Sequence, residues 1–194
     1  MLWKLTAVLA FSLAWLSAPT AWAGSGDETP ECCNYNGFYA GIGGGYSWER
    51  FPNGDAGNGT QINARVGYRF LDFLALEGLG EYAPEYSGHS GNFQGMSVKM
   101  WSGWFNAKVY PLARWTGFIQ PYALAGVGYQ WADVHSNPPN DLHANVIAGR
   151  FGGGIDWFLT EHLFVTTDAA YILPGGDEKS LEHINLGGAV GYRF

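Results

Sequence analysis

Ile184-Asn185-Leu186-Gly187-Gly188-Ala189-Val190-Gly191-Tyr192-Arg193-Phe194 closes the sequence, and its reading decides the fold. In an extended strand, Ile184, Leu186, Gly188, Val190, Tyr192 and Phe194 share one face, and Asn185, Gly187, Ala189, Gly191 and Arg193 share the other. One face is apolar or glycine throughout and ends on an aromatic residue. A strand that lines the wall of a membrane barrel reads this way.

The opposite end of the sequence supplies a route to such a membrane. Lys4 precedes an apolar run from Leu5 to Leu16, and Ala21-Trp22-Ala23 has the small-x-small form of a cleavage site. Residues 1–23 therefore read as a secretory signal peptide, with the mature protein starting at Gly24. The run is shorter than the roughly 20 apolar residues that a spanning helix needs, and no later stretch reaches that length. Insertion must then use strands. With 29 glycines, 16% aromatic and only 14% charged residues, the composition favours short strands and tight turns over helices. The mean hydropathy of -0.09 agrees, because a barrel wall alternates apolar with polar residues and averages near zero.

Period-two alternation bounded by turn residues predicts eight strands: Phe38 to Trp48, Gln61 to Phe70, Phe73 to Tyr82, Val98 to Tyr110, Ile119 to Trp131, Val146 to Phe158, Leu163 to Ile172 and Ile184 to Phe194. The fifth is ambiguous in face, and Ala123, Ala125, Val127 and Tyr129 are assigned to its apolar side. On this assignment no apolar face carries a charge. Arg65, Arg69, Lys108, Arg150 and Arg193 and the acids Glu77, Glu81, Asp156 and Asp168 all fall on the opposite faces. Residues 1–23, 24–36 and 37–194 thus divide into signal peptide, periplasmic segment and barrel.

Connection lengths alternate too. Those after the second, fourth and sixth strands are short or moderate, whereas Glu49 to Thr60, Ala83 to Ser97, Ala132 to Asp141 and Leu173 to Glu182 are longer and polar. Outer-membrane barrels have short periplasmic turns and longer outer loops. A soluble barrel with an apolar core would use the same alternation turned inside out. The signal peptide, the aromatic terminus, Tyr and Trp near strand ends and mixed charges at mid-strand favour the membrane form.

Phe38-Tyr39-Ala40-Gly41-Ile42-Gly43-Gly44-Gly45-Tyr46-Ser47, Pro121-Tyr122, Gly152-Gly153-Gly154-Ile155-Asp156-Trp157-Phe158-Leu159-Thr160 and the terminal Gly191-Tyr192-Arg193-Phe194 occur in an order and spacing that resembles the small outer-membrane β-barrel family. That family includes the OmpA transmembrane domain and the opacity-type surface proteins of the porin class. The resemblance implies an all-β, eight-stranded antiparallel up-and-down barrel in the outer membrane of a Gram-negative bacterium. It implies contact with outer-membrane lipids and lipopolysaccharide, and a terminal signal, Tyr192 and Phe194, read by the barrel-assembly machinery. It does not imply one activity, nor the peptidoglycan tethering of OmpA's further domain.

Eight strands enclose a space that side chains fill, so a broad diffusion channel is not expected. The charged residues above are read as a lumen network, with Arg65 and Arg69 on the second strand expected to pair with Glu77 and Glu81 on the third. No catalytic, cofactor or metal residue is expected. The histidines are isolated, and Asp55, Asp133, Asp141 and Asp177 lie in different loops without calcium-loop spacing. Gly41-Ile42-Gly43-Gly44-Gly45 lies within a strand with no helix following, so it is no nucleotide loop. A net charge of -7 disfavours nucleic acid. Cys32 and Cys33 precede the first strand in an oxidising compartment; a vicinal bridge, an intermolecular bridge and free thiols all fit, and neither follows the cleavage site as a lipoprotein cysteine would.

Three functional readings follow. The first is a non-enzymatic surface protein that supports envelope integrity and offers its four outer loops for adhesion or host contact. The second is a lipid A-modifying hydrolase, for which His135-Ser136-Asn137 is the nearest approach to a His-x-Ser-Asn signature, without its spacer. The third is a narrow small-solute channel.

Overall fold

Residues 35–50, 56–88, 97–113, 117–135, 142–175 and 182–194 are described by a computed structural model. They form β1 (Gly37–Arg50), β2 (Ala56–Leu71), β3 (Leu74–Gly88), β4 (Ser97–Val109), β5 (Ile119–His135), β6 (Leu142–Phe158), β7 (Leu163–Pro174) and β8 (His183–Arg193). Each strand pairs antiparallel with its neighbour in sequence, and β8 pairs back onto β1, so the sheet closes into a barrel. Closure satisfies the backbone within the chain and leaves no edge, the condition that hydrocarbon imposes on any strand crossing it. Residues 1–23, read from the sequence as a signal peptide, most of the 24–36 segment, Cys32, Cys33, Ser136 and Asn137 lie outside the described residues.

Alternation sorts the side chains as the pattern requires. Phe38, Ile42, Ile62, Val66, Phe105, Val127, Ile147 and Val190 are exposed on the outer face, while Arg65, Glu77, Lys108, Arg150 and Asp168 are buried within. The fifth strand takes the facing assigned to it, with Ala123, Ala125 and Val127 outside and Tyr122 and Leu124 inside. Large inner side chains are accommodated by inner glycines on the neighbouring strand. A Cβ at Gly67 would collide with the ring of Tyr39, and one at Gly128 with the indole of Trp104.

Exposed aromatics gather in two belts. Phe38, Phe70, Phe73, Phe118, Trp157, Tyr192 and Phe194 ring one end, and Trp48, Trp101, Trp131 and Tyr171 the other. Phe38 and Trp48 stand ten residues apart on β1; at a rise of ~3.4 Å and a tilt of ~40° this is about 26 Å along the barrel axis. An outer-membrane barrel needs an apolar band of roughly that height.

The strands are longer than the alternation predicts. β1 continues to Arg50, β2 starts at Ala56, β3 runs to Gly88, β5 to His135 and β6 starts at Leu142. All of these extensions lie beyond the second aromatic belt. Water surrounds them there, so an apolar face has no value, yet the backbone ladder continues, with Asn58 opposite Ser87 and Val134 opposite Leu142. The polar stretches read as loops are therefore partly hairpin arms. The tips, residues 51–55, 89–96, 136–141 and 176–181, lie outside the described residues.

Candidate functional site

The sequence nominates the lumen charges, and the barrel brings eight of the nine inside. Arg65, Arg69, Glu77, Glu81, Lys108, Arg150, Asp156 and Asp168 are all buried. Arg193 instead stays at the rim, half-buried, where its guanidinium donates to the backbone carbonyl of Glu161 at 2.6 and 3.0 Å.

A chain of ion pairs crosses the middle of the lumen. Arg65 on β2 meets Asp168 on β7 at 3.2 Å, Asp168 meets Arg150 on β6 at 2.8 Å, and Arg150 meets Glu81 on β3 at 3.1 Å. Glu81 is the hub. Its carboxylate also accepts from Trp104 Nε1 at 2.7 Å, Asn185 Nδ2 at 2.9 Å, and Gln61 Nε2 and Ser102 Oγ at 3.2 Å each. Donors from β2, β4, β6 and β8 thus converge on one acid of β3.

Below this layer Lys108 Nζ stands 2.6 Å from Glu77, which also accepts from the Tyr39 hydroxyl at 3.1 Å. The ammonium lies over the Tyr122 ring, 4.4 Å from its centroid. Near the end that carries the short turns Tyr110 donates to Asp156 at 2.8 Å, and Arg69 stacks over the Tyr110 ring at 4.0 Å. Arg69 also donates to Gln120 at 3.1 Å and to the backbone carbonyl of Asp72. Tyr35, just before β1, covers this end: its ring stacks on Phe158 at 3.9 Å and its hydroxyl donates to Gly117 at 3.0 Å.

None of the expected pairs, Arg65 and Arg69 with Glu77 and Glu81, closes to ion-pair distance; Arg65 meets Asp168, and Glu77 and Glu81 meet Lys108 and Arg150. In the β2–β3 register Arg65 stands opposite Leu79 and Arg69 opposite Ala75, so Glu77 is only diagonal to both arginines and Glu81 is diagonal to Arg65 alone. In so narrow a barrel a long arginine reaches the far wall as readily as the adjacent one, and there Asp168 faces Arg65. Tyr39, Gln61, Trp104, Tyr110, Tyr122 and Asn185 complete the network without having been singled out. Alternation already put them on the inner faces, but an uncharged side chain gives no sequence sign that it is needed there. The arrangement neutralises charge and fills space. Among the described residues no group of three or more His, Cys, Asp and Glu could hold a metal ion.

With this geometry the comparisons with known proteins agree. A family model described as "Outer membrane protein beta-barrel domain" matches residues 6–194. The chain belongs to that family. None of the curated proteins matches it. Among solved structures, this outer-membrane barrel is similar to neisserial surface protein A, with a TM-score of 0.67 and 18% identity over 81% of this chain and 97% of that one. It is also similar to the N-terminal β-barrel domain of Pseudomonas aeruginosa OprF, at 0.56 and 13% over 82% and 98%. A third is Ail, the attachment invasion locus protein of Yersinia pestis, solved with the heparin analogue sucrose octasulfate, at 0.55 and 15% over 81% and 99%. At these identities the likeness is one of fold. In an outer-membrane barrel the exposed apolar belt faces lipid, and the soluble inside-out alternative is set aside.

Proposed function

We propose that this outer-membrane barrel is a non-enzymatic surface protein that supports envelope integrity and makes contacts with host or cell-surface ligands through the outer ends of its hairpins. The observation that carries the reading is the lumen itself: Arg65, Asp168, Arg150 and Glu81 spend their charges on one another across its full width. A barrel filled in this way is a scaffold, and variable chemistry on a scaffold belongs to its loops. Residues 49–60, 83–97, 132–141 and 173–182 hold eight acidic and two basic residues. Their charge opposes a polyanion of the kind bound to Ail, so the ligand class proposed is neutral or cationic. In the same reading the signal peptide is removed, Tyr192 and Phe194 present the assembly signal, and lipopolysaccharide surrounds the outer ends.

Deletion of 51–55, 89–96 and 136–141, singly and together, tests this. Loss of host-cell binding or increased detergent sensitivity, with unchanged heat-modifiable gel mobility, is the expected result. Variants that fold and leave both properties unaltered would refute the functional reading of the loops.

A further inference from the structure

β6 and β7 do not end together. On the side of the long connections their ladder closes with Ala148 opposite Pro174, and one further bond runs from the Gly175 amide to the Ile147 carbonyl at 2.7 Å. β7 stops at Pro174, whereas β6 starts at Leu142 and stays paired with β5 as far as Val134 opposite Leu142, without a break in register. On the same side β1 to β5 run out together, with Arg50 opposite Ala56, Gly57 opposite Gly88, Ser87 opposite Ser97 and Ser97 opposite His135. Among the described residues, 142–146 are thus the longest stretch of strand with a partner on one side only.

The bond to Gly175 fixes which backbone groups are open. It turns the Ile147 carbonyl toward the β7 side. In an antiparallel ladder the N–H and C=O of one residue point the same way, and the direction alternates along the strand. His143 and Asn145 therefore turn both groups to the open side, and Leu142, Ala144 and Val146 turn theirs to β5. Such a row is a template for another chain, and folded proteins blunt it with proline, charge or a bulge. β7 ends in Pro174. Leu142-His143-Ala144-Asn145-Val146 has no proline, no bulge and no Asp, Glu, Lys or Arg.

We propose that this edge takes up an extended, basic segment of another polypeptide as an added strand. At a rise of ~3.4 Å per residue the five residues offer about 17 Å of edge, in line with β7 beyond Pro174. A second copy of this chain does not fit. Barrel strands tilt by ~40°, so the facing walls of two barrels upright in one membrane cross at about 80°, too oblique for a ladder. A free segment carries no such constraint. Its charge follows from the surroundings: the four long connections hold eight acidic and two basic residues, and the one leading into Leu142 supplies Asp133 and Asp141 with no Lys or Arg. Asp133 stands opposite His143 in the ladder. The inference rests on the proposed contact role of the outward hairpin ends and names the partner class they take.

The test reads backbone amide exchange residue by residue, by NMR, on the full barrel in phosphatidylcholine nanodiscs. In the free barrel the amides of His143 and Asn145 should exchange rapidly and those of Ala144 and Val146 slowly; protection of the first two would mean that the edge is already covered, by the chain itself or by a second copy, and overturns the proposal. The probe is a capped octapeptide of alternating lysine and valine, which should slow exchange at His143 and Asn145 at least about tenfold, the effect of gaining ladder bonds. The same peptide N-methylated throughout should lose this protection; equal binding by both would reduce the effect to charge attraction and refute the added strand. A glutamate-valine octapeptide that protects equally would refute the basic partner. Asn145→Pro removes an open donor without a bond to β5 and should abolish protection, whereas Asn145→Ala should keep it; if the proline variant fails to fold, the N-methylated peptide still decides. Host-cell binding that is lost on deleting the loops but survives Asn145→Pro overturns the edge and leaves the loop reading standing. Cell binding unchanged by those deletions, with the edge still protected by peptide, refutes the loop reading and leaves the edge.

Discussion

Glu81→Leu is the most informative single perturbation of the lumen. The substitution removes the partner of Arg150 at 3.1 Å and the acceptor of Trp104, Asn185, Gln61 and Ser102. Breaking one half of a buried ion pair costs about 3–5 kcal/mol, because the remaining charge stays buried. The four neutral donors add to this, but not by the full ~1–3 kcal/mol each, since flexible groups find other acceptors. Arg150 also keeps Asp168 at 2.8 Å, which limits the loss. We expect a total near 5 kcal/mol, a shift of roughly 10³ to 10⁴ in the folding equilibrium. Equilibrium unfolding by guanidinium in lipid vesicles, scored by heat-modifiable gel mobility, measures it without relying on the fluorescence of Trp104, which is itself a partner. Combining Glu81→Leu with Arg150→Met removes the stranded cation and should cost about 2–3 kcal/mol less than the sum of the single changes. A loss under ~1 kcal/mol for the single variant, or strict additivity in the double, would refute the idea that this network holds the barrel.

Two further outcomes test the surfaces. Ile42 is 73% exposed at mid-height of the lipid face, so Ile42→Arg should destabilise the vesicle-embedded barrel by about 2–4 kcal/mol, while Leu159→Arg at the short-turn rim should cost about 0–1; equal costs at the two depths would contradict the membrane placement. Gly128→Val should drive its side chain against Trp104 and the Gly103 carbonyl, weakening the Trp104 bond to Glu81 and costing at least ~1–3 kcal/mol, measured in the same unfolding assay against Gly80→Ala, which meets no neighbour and should not destabilise.

How much of this was legible in the sequence depends on where lipid acts. Between the two aromatic belts lipid punishes every polar outward residue, so Phe105, Asn106, Ala107 and Lys108 announce their faces by alternation alone. Beyond the belts water accepts either kind of side chain. There Ala56 to Thr60 and Ala83 to Gly88 carry no readable pattern although both pair as strands. The inner partners were hidden for another reason. Which carboxylate an arginine reaches depends on distances across the lumen, and those follow from closure. Arg65 to Asp168 joins residues 103 apart in sequence, and nothing local to either one records it.

Closure itself raises a problem that the lumen resolves. β1 and β8 meet along a glycine-rich seam, with Gly43, Gly44 and Gly45 opposite Ala189, Gly188 and Gly187. Such strands specify register weakly. A slip of one residue would place Arg193 toward lipid and Tyr192 inward, and is rejected by the lipid. A slip of two keeps every face correct: Ile42, Tyr46, Leu186 and Val190 are apolar whichever of them stand opposite, so the outer surface is indifferent to it. The inner surface is not. A displacement of about 6.8 Å along the strand would carry Asn185 out of reach of Glu81, 2.9 Å away in the native register, and the same shift of β1 would part Tyr39 from Glu77, now 3.1 Å away. Lipid therefore selects which face points outward, and the buried polar contacts select which of the permitted registers closes the ring.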